Sequence, residues 1–141
     1  MSRPRPAATA APSCFERALA QANGLRPDRL AQSGRQAAFR GVDAKLDIGD
    51  ATRPVELHRI AGSGHSDGFL LVWLPRERLL IEADAFTPGP PNALTPAVAN
   101  PNNVNLVANI ERLGLPVERI LPLHGRVVPV AELQAAVKPA R

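Results

Sequence analysis

The sequence feature that most constrains the fold is a pair of apolar segments joined by a short charged turn. Residues 69–74 read FLLVWL and residues 79–83 read LLIEA, with Pro-Arg-Glu-Arg between them. Segments joined by so short a turn are expected to be antiparallel neighbours in a sheet. Because the first segment is apolar on both of its faces, it implies a strand that is covered on both sides.

The other segments predict an α/β domain built on one mixed sheet. Residues 55–60, VELHRI, alternate in polarity as a half-buried strand does, with Val55 and Leu57 directed inward and His58 outward at the surface. Residues 87–103, rich in proline and asparagine, predict a long loop of functional interest. The remaining predicted elements are helices at 15–22, 27–32, 104–113 and 132–137, and strands at 37–42, 44–48 and 119–123.

Composition excludes several classes of function. The 141 residues carry a net charge of +4, but the basic residues are scattered and no aromatic residues alternate with them, so nucleic acid is not an expected partner. No apolar run approaches the roughly 18 residues of a membrane span, and the single cysteine, Cys14, excludes an internal disulfide. We expect residues 1–13 to be a disordered lead-in and residues 14–138 to form one domain, with a cytoplasmic location as the default.

Three polar residues are predicted to meet at one edge of the sheet. Strand 79–83, helix 104–113 and strand 119–123 form a β–α–β unit, whose two strands are expected to be parallel. Asp84 and His124 therefore follow the carboxyl ends of neighbouring parallel strands, where ligands of open α/β sheets bind. His65, in the Gly-rich loop before strand 69–74, is expected at the same edge. Two imidazoles and a carboxylate suit zinc and related metals.

Each of these residues also has a simpler interpretation. His65 alone could be a turn residue, Asp84 could accept hydrogen bonds from its own loop, and His124 could be a surface residue at a strand end. Their predicted convergence favours a metal site over three separate coincidences. Asp67 and Ser66 are interpreted as residues that support His65 from within its own loop.

At these residues the sequence resembles the metallo-β-lactamase (MBL) fold superfamily of metallo-hydrolases. The resemblance lies in GSGHSDG at 62–68, LLIEADAFTP at 79–88 and NIERLGLPVERILPLHGRVV at 109–128, and it extends more weakly back to about residue 15. It implies that His65 completes a first metal site, that Asp84 bridges two metals and that His124 binds the second. Zinc is the cofactor that the resemblance implies.

The chain departs from this superfamily in one respect. The superfamily's main motif, His-x-His-x-Asp-His, supplies the other ligands, whereas the histidines of this chain are His58, His65 and His124. The 64 residues before His65 are too few for the first half of the fold. We therefore expect the C-terminal half of an αββα sandwich: one mixed sheet with helices mainly on one face and an incomplete zinc site.

Three functions are compatible with half of such a fold. The chain could be a truncated hydrolase-like protein that is inactive alone, a non-catalytic interaction module, or an enzyme that uses a single metal held by all three residues. A half-sandwich would leave an apolar sheet face uncovered, except where a hairpin at 37–48 covers part of it. We therefore expect a homodimer, or a separate chain that carries the missing half.

Overall fold

The computed structural model of the chain describes residues 29–35, 38–91 and 98–138. Two compact units make up the chain, Met1–Gly41 and Val42–Arg141. In the first unit, the described residues contain one short helix, α1 (Arg29–Ser33), which agrees with the described part of the helix predicted at 27–32. The helix predicted at 15–22 and the boundary predicted between residues 13 and 14 lie outside the described residues.

The second unit contains a six-stranded mixed sheet in which the strands follow one another in chain order. The pairing of β4 with β5 is parallel, and each of the other pairings is antiparallel. This confirms the predicted α/β class with one mixed sheet. The strands are β1 (Lys45–Asp47), β2 (Glu56–Arg59), β3 (Leu70–Leu74), β4 (Leu79–Glu82), β5 (Arg119–Pro122) and β6 (Val128–Pro129).

Two further helices accompany the sheet, α2 (Pro101–Leu113) and α3 (Val130–Ala136). Helix α2 begins where the Asn100 side chain accepts a hydrogen bond from the Asn102 N–H and Pro101 occupies the first turn. It ends at Gly114, whose φ of 64° is the left-handed conformation that glycine adopts without steric cost. None of the helices among the described residues has the length and apolar character needed to span a membrane.

One face of the sheet packs against these helices and forms the core. Leu71, Leu80 and Ile120 of the central strands and Leu106 and Leu133 of the helices are all 0% exposed. Because successive side chains of a strand point to opposite faces, the residues between them lie on the other face, which is only half-buried. The helices therefore cover one face, as the sequence predicts.

The prediction that His58 lies at the surface is wrong. His58 is 6% exposed, and its Nε2 lies 2.8 Å from Oε2 of Glu56. It stands opposite the fully buried Leu71, so it belongs to the helix-covered face. Alternation alone shows that two faces differ in polarity, but it does not show which of them tertiary packing will cover.

Several predicted boundaries also change. The described residues 38–42 form no strand, so the predicted hairpin at 37–48 is not formed. Strand β1 instead pairs with β2 and extends the sheet. Helix α2 begins at Pro101, inside the predicted loop, because the Asn100 cap and Pro101 start it. Strand β6 was not predicted, since two residues are too short to show a pattern.

A small network of charges joins the sheet edge to His58. Lys45 Nζ lies 2.9 Å from Glu56 Oε1 and 3.1 Å from Asp47 Oδ1. Burial tends to raise the pKa of Glu56, but hydrogen bonds from Lys45 and His58 outweigh it and lower that pKa below its usual value. The ionised form of Glu56 is therefore stabilised by folding.

We predict that Glu56→Gln lowers the free energy of unfolding at pH 7 by about 1 kcal/mol. A carboxyl group with a lowered pKa contributes stability above its unfolded pKa of 4.5 and loses it as the pH falls through the folded value. Urea denaturation between pH 3 and 7 should therefore show a weaker acid dependence in the variant.

Glu118→Gln, which breaks an exposed ion pair with Arg78, is the matched control and should change stability by less than about 0.5 kcal/mol. Equal acid dependence in wild type and Glu56→Gln would contradict this account.

Candidate metal centre

The parallel pairing of β4 and β5 sets the position of two candidate ligands. Glu82, the last residue of β4, is level with Pro122, the last residue of β5. The Leu123 N–H donates to the Glu82 carbonyl at 2.9 Å, which continues the pairing one residue past the strands. Asp84 and His124 each follow two residues after these ends and are therefore brought together.

The three predicted ligands meet at this edge. His124 Nε2 lies 3.2 Å from Asp84 Oδ1, and His65 Nε2 lies 3.5 Å from Asp84 Oδ2. Asp84 has a φ of 68°, a left-handed conformation that is uncommon for residues other than glycine. The three side chains are between 38% and 63% exposed, so the cluster is open to solvent.

The loop that carries His65 is held by hydrogen bonds within itself. Ser63 Oγ accepts from the N–H groups of His65 at 3.2 Å and Ser66 at 3.3 Å. The loop turns at Gly62, whose φ is 65°. The His65 ring meets the Phe69 ring edge to face, with centroids 5.9 Å apart. Ser63 and Phe69 thus set the position of His65, although the sequence analysis did not select them.

Helix α2 holds the start of the same loop through a polar stripe. The buried Asn109 accepts from the Ala61 N–H at 2.9 Å and donates to the Ala61 carbonyl at 3.0 Å. Asn105 donates to the carbonyls of Ala61 and Gly62, both at 2.9 Å. Arg112 in turn donates to Asn109 Oδ1 at 2.8 Å. The three residues at 105, 109 and 112 share one helix face, a periodicity that was visible in the sequence.

The two residues predicted to support His65 make other contacts. Ser66 Oγ accepts from the Gly68 N–H at 3.3 Å, and the Asp67 main-chain carbonyl accepts from Arg59 Nη2 at 3.0 Å. Among the described residues, neither side chain has a hydrogen bond to His65. Their observed contacts shape the loop as a whole.

Glu82 is a buried acid directly before the Asp84 turn. It is 3% exposed, and its Oε2 accepts from the N–H groups of Ala85 at 2.8 Å and Phe86 at 3.2 Å. Burial raises the pKa of Glu82, while these two hydrogen bonds act in the opposite direction. An apolar strand gives no reason to expect a buried acid, so sequence reasoning missed this residue.

A cavity of about 530 Å³ lies beside the His65 loop. Ser63 and Ser66 line it, together with residues of the β2 end and of helix α2, but the three candidate ligands do not. Its charged lining consists of Arg59, Arg112, Asp43 and Asp67, whose formal charges cancel. The lining therefore has no net formal charge.

The donor types and their separations fit zinc, but their number does not complete a site. Two ligands of a tetrahedral zinc ion lie about 3.4 Å apart, which is close to both distances measured here. However, each imidazole faces a different oxygen of Asp84, so a metal on either side would receive two donors. In agreement, no group of three or more His, Cys, Asp or Glu side chains among the described residues is arranged to hold one metal ion.

Solved structures show which known proteins have a fold similar to that of this chain. A metallo-β-lactamase from Pontibacter korlensis superposes with a TM-score of 0.51 over 77% of this chain and 51% of its own, at 14% identity. The DIM-1 metallo-β-lactamase, solved after exposure to ceftazidime, superposes with a TM-score of 0.51 over 76% of this chain and 49% of its own, at 17% identity. The chain has part of the metallo-β-lactamase fold. It spans about half the length of these proteins.

Sequence comparisons add nothing to the structural match. No protein-family model and no curated protein matches the chain. At such low identity, the MBL-type structures establish the fold, and the chemistry must be argued from the residues themselves.

We predict that Asn109→Ala lowers the free energy of unfolding by about 2 kcal/mol, because it leaves the Ala61 N–H without its acceptor and removes one of the two side-chain donors to the Ala61 carbonyl. Urea denaturation measures the loss, and amide hydrogen exchange at Ala61 should accelerate more than exchange in β4. Asn103→Ala on the same helix is the control, since the Asn103 side chain has no hydrogen bond among the described residues. If both variants behave alike, the helix does not hold the loop in this way.

Proposed function

We propose that this chain is an MBL-fold hydrolase-like protein that retains half of a two-metal site and is inactive in hydrolysis as a lone chain. The observation that carries the proposal is the Asp84 carboxylate, which directs one oxygen to His65 and the other to His124. A carboxylate between two imidazoles is the arrangement expected of a bridging ligand with one metal on each side.

In this proposal each residue has a defined role. Asp84 is shared by the two metal positions, His65 belongs to the first and His124 to the second. When bound, zinc in such a site supplies Lewis-acid chemistry and lowers the pKa of a bound water. The chain's own contribution is to hold the three side chains in fixed relation, through Ser63, Phe69 and the end of β4.

Catalysis alone is not expected, because a catalytic zinc requires three protein ligands and an open position. Each position here has one imidazole and a share of one carboxylate. The remaining histidine, His58, is buried beside Glu56 on β2 and is already hydrogen-bonded there. Among the described residues, no group of three or more His, Cys, Asp or Glu side chains is arranged to supply the further ligands.

A second candidate function, an interaction module, is favoured by an apolar row on the half-buried face of the sheet. We define the apolar row as Leu46, Leu57, Val72, Ile81 and Leu121. These residues are direct partners in successive strands, β1 to β5, and all are half-buried. With strands about 4.8 Å apart, the row extends about 19 Å across the sheet.

The occupant that this row fits is a second copy of the chain. The row is close to symmetric about its centre, Val72, with Leu57 and Ile81 on either side and leucines at both ends. A two-fold axis through Val72 would place branched aliphatic side chains opposite one another, as in two sheets that pack face to face. Burial of the row would remove apolar surface from water and stabilise the dimer.

We predict that the purified chain binds zinc weakly and shows no hydrolysis of a β-lactam above background. Equilibrium dialysis with zinc alone, followed by elemental analysis, should give less than one zinc per chain at micromolar concentration. Asp84→Ala should abolish the remaining binding because it removes the donor shared by both positions. Asp47→Ala, an exposed carboxylate on the edge strand, is the matched control and should bind as wild type does.

The opposite result would favour a different enzyme. Stoichiometric zinc that survives dialysis, is lost in His65→Ala, His124→Ala and Asp84→Ala, and accompanies hydrolysis would mean that one metal uses all three residues. That outcome would refute inactivity and the division into two half-sites.

For the second candidate, we predict a concentration-dependent homodimer that Val72→Asp converts to a monomer, because the substitution places a charge at the centre of the apolar row. Sedimentation equilibrium from about 1 to 100 μM measures the mass, and circular dichroism verifies folding. Val104→Asp changes an exposed valine on helix α2 and should leave the dimer unchanged. A monomer throughout this range for the wild type would exclude a second copy as the occupant and leave a different chain as the candidate.

A further inference from the structure

Glu82 is a charged side chain in a position where charge is costly. It ends β4 on the helix-covered face and is 3% exposed. Acids are almost never fully buried unless they are paired, and no ion pair involves Glu82 among the described residues. The proposed function gives this residue no role, so its burial requires another explanation.

The hydrogen bonds of Glu82 reach across the Asp84 turn. Oε2 accepts from the N–H groups of Ala85 and Phe86, which are the two residues that follow Asp84. Ala85 is 5% exposed and Phe86 is 4% exposed, so without Glu82 both N–H groups would lie in the interior without this acceptor. A single oxygen, Oε2 of Glu82, therefore joins the end of β4 to the two residues that follow Asp84.

These two hydrogen bonds matter because the backbone of the turn is strained at Asp84. Asp84 has a φ of 68°, a left-handed conformation that is unfavourable for a residue with a side chain. Such a conformation persists only when surrounding contacts stabilise it. The two bonds to Oε2 provide that stabilisation at the residues that directly follow Asp84.

Glu82 also connects the turn to the other strand. Its main-chain carbonyl accepts from the Leu123 N–H at 2.9 Å, directly before His124. One residue therefore contacts the backbone on the carboxyl side of Asp84 and on the amino side of His124. Its second oxygen, Oε1, is buried and has no hydrogen-bond partner among the described residues. Among the described residues, the hydrogen bonds of the Glu82 side chain are thus those to the Asp84 turn.

We infer that Glu82 is a positioning residue that holds the Asp84 carboxylate between His65 and His124. The contribution comes from the hydrogen-bond acceptor at Oε2, which fixes the backbone of the turn. The inference concerns the arrangement of these three side chains, and it rests on the proposed function only where metal affinity is used as a readout.

The test compares Glu82→Ala with Glu82→Gln in the full chain. The ¹⁵N chemical shifts of Nε2 in His65 and His124, measured without metal, report whether Asp84 still faces the two rings. Glu82→Ala should move both shifts toward those of Asp84→Ala. Glu82→Gln should keep them near the wild-type values, because a carboxamide oxygen can accept both N–H groups. Glu118→Ala is the exposed control and should leave both shifts unchanged.

Metal affinity gives a second readout. Loss of a residue that orients a metal ligand typically weakens binding about 10–100-fold, so cobalt or zinc titration should show a loss of that size in Glu82→Ala and most of the affinity restored in Glu82→Gln. If the wild type binds no metal, the proposed function fails, but the imidazole shifts still decide the role of Glu82.

Folding is verified by circular dichroism before any variant is interpreted. If Glu82→Ala does not fold, Glu82→Asp replaces it, since the shorter side chain keeps the charge and withdraws the acceptor from the turn. Glu82→Asp should then move both shifts as Glu82→Ala was expected to. Wild-type shifts in a folded Glu82→Ala or Glu82→Asp would overturn the inference, and so would a folded Glu82→Gln in which both shifts match Asp84→Ala.

Discussion

The parallel register between β4 and β5 is the constraint on which the candidate site depends. It places the ends of the two strands level with each other, so that Asp84 and His124 leave the sheet at the same height. A shift of one residue in this pairing would move every side chain of one strand to the opposite face. The fully buried Leu80 and Ile120, which are direct partners in this pairing, make such a shift costly.

The third member of the cluster depends on polar contacts instead of apolar packing. The His65 loop has few buried apolar side chains, and it is fixed by Ser63 from within and by Asn109 from helix α2. Hydrogen bonds to buried donors and acceptors are directional, so they hold the loop in one conformation. The site therefore combines two ligands set by the sheet with a third that is set by a hydrogen-bonded loop.

Helices cover one face of the sheet, and the other face is half-buried. Each face bears on one of the two candidate functions. On the covered face, helices α2 and α3 bury the core, and Glu82 accepts hydrogen bonds from the turn at the end of β4. On the other face, the apolar row crosses five strands. The MBL-fold structures that match this chain superpose over only about half of their own length, so fold similarity alone does not assign their activity to it.

Local pattern was sufficient to predict the central hairpin, the β–α–β unit and the convergence of His65, Asp84 and His124. Strong apolar runs, a helical stripe and short turns carry this information within windows of 10 to 20 residues. The rule that a β–α–β connection joins parallel strands then predicts that the carboxyl ends of β4 and β5 lie next to each other. The prediction failed where the signal was short or ambiguous, as at residues 38–42 and at the two-residue strand β6.

The sequence by itself determined the antiparallel pairing of β3 with β4, the parallel pairing of β4 with β5, the three polar residues at this edge and the absence of the His-x-His-x-Asp-His motif. Only the tertiary structure decided that His58 is buried, that Asn109 holds the His65 loop and that Glu82 closes the Asp84 turn. Each of these facts depends on which face of an element another element covers, or on contacts between residues distant in the chain. Periodicity identifies two faces of a strand or helix, but packing alone selects the one that becomes the interior.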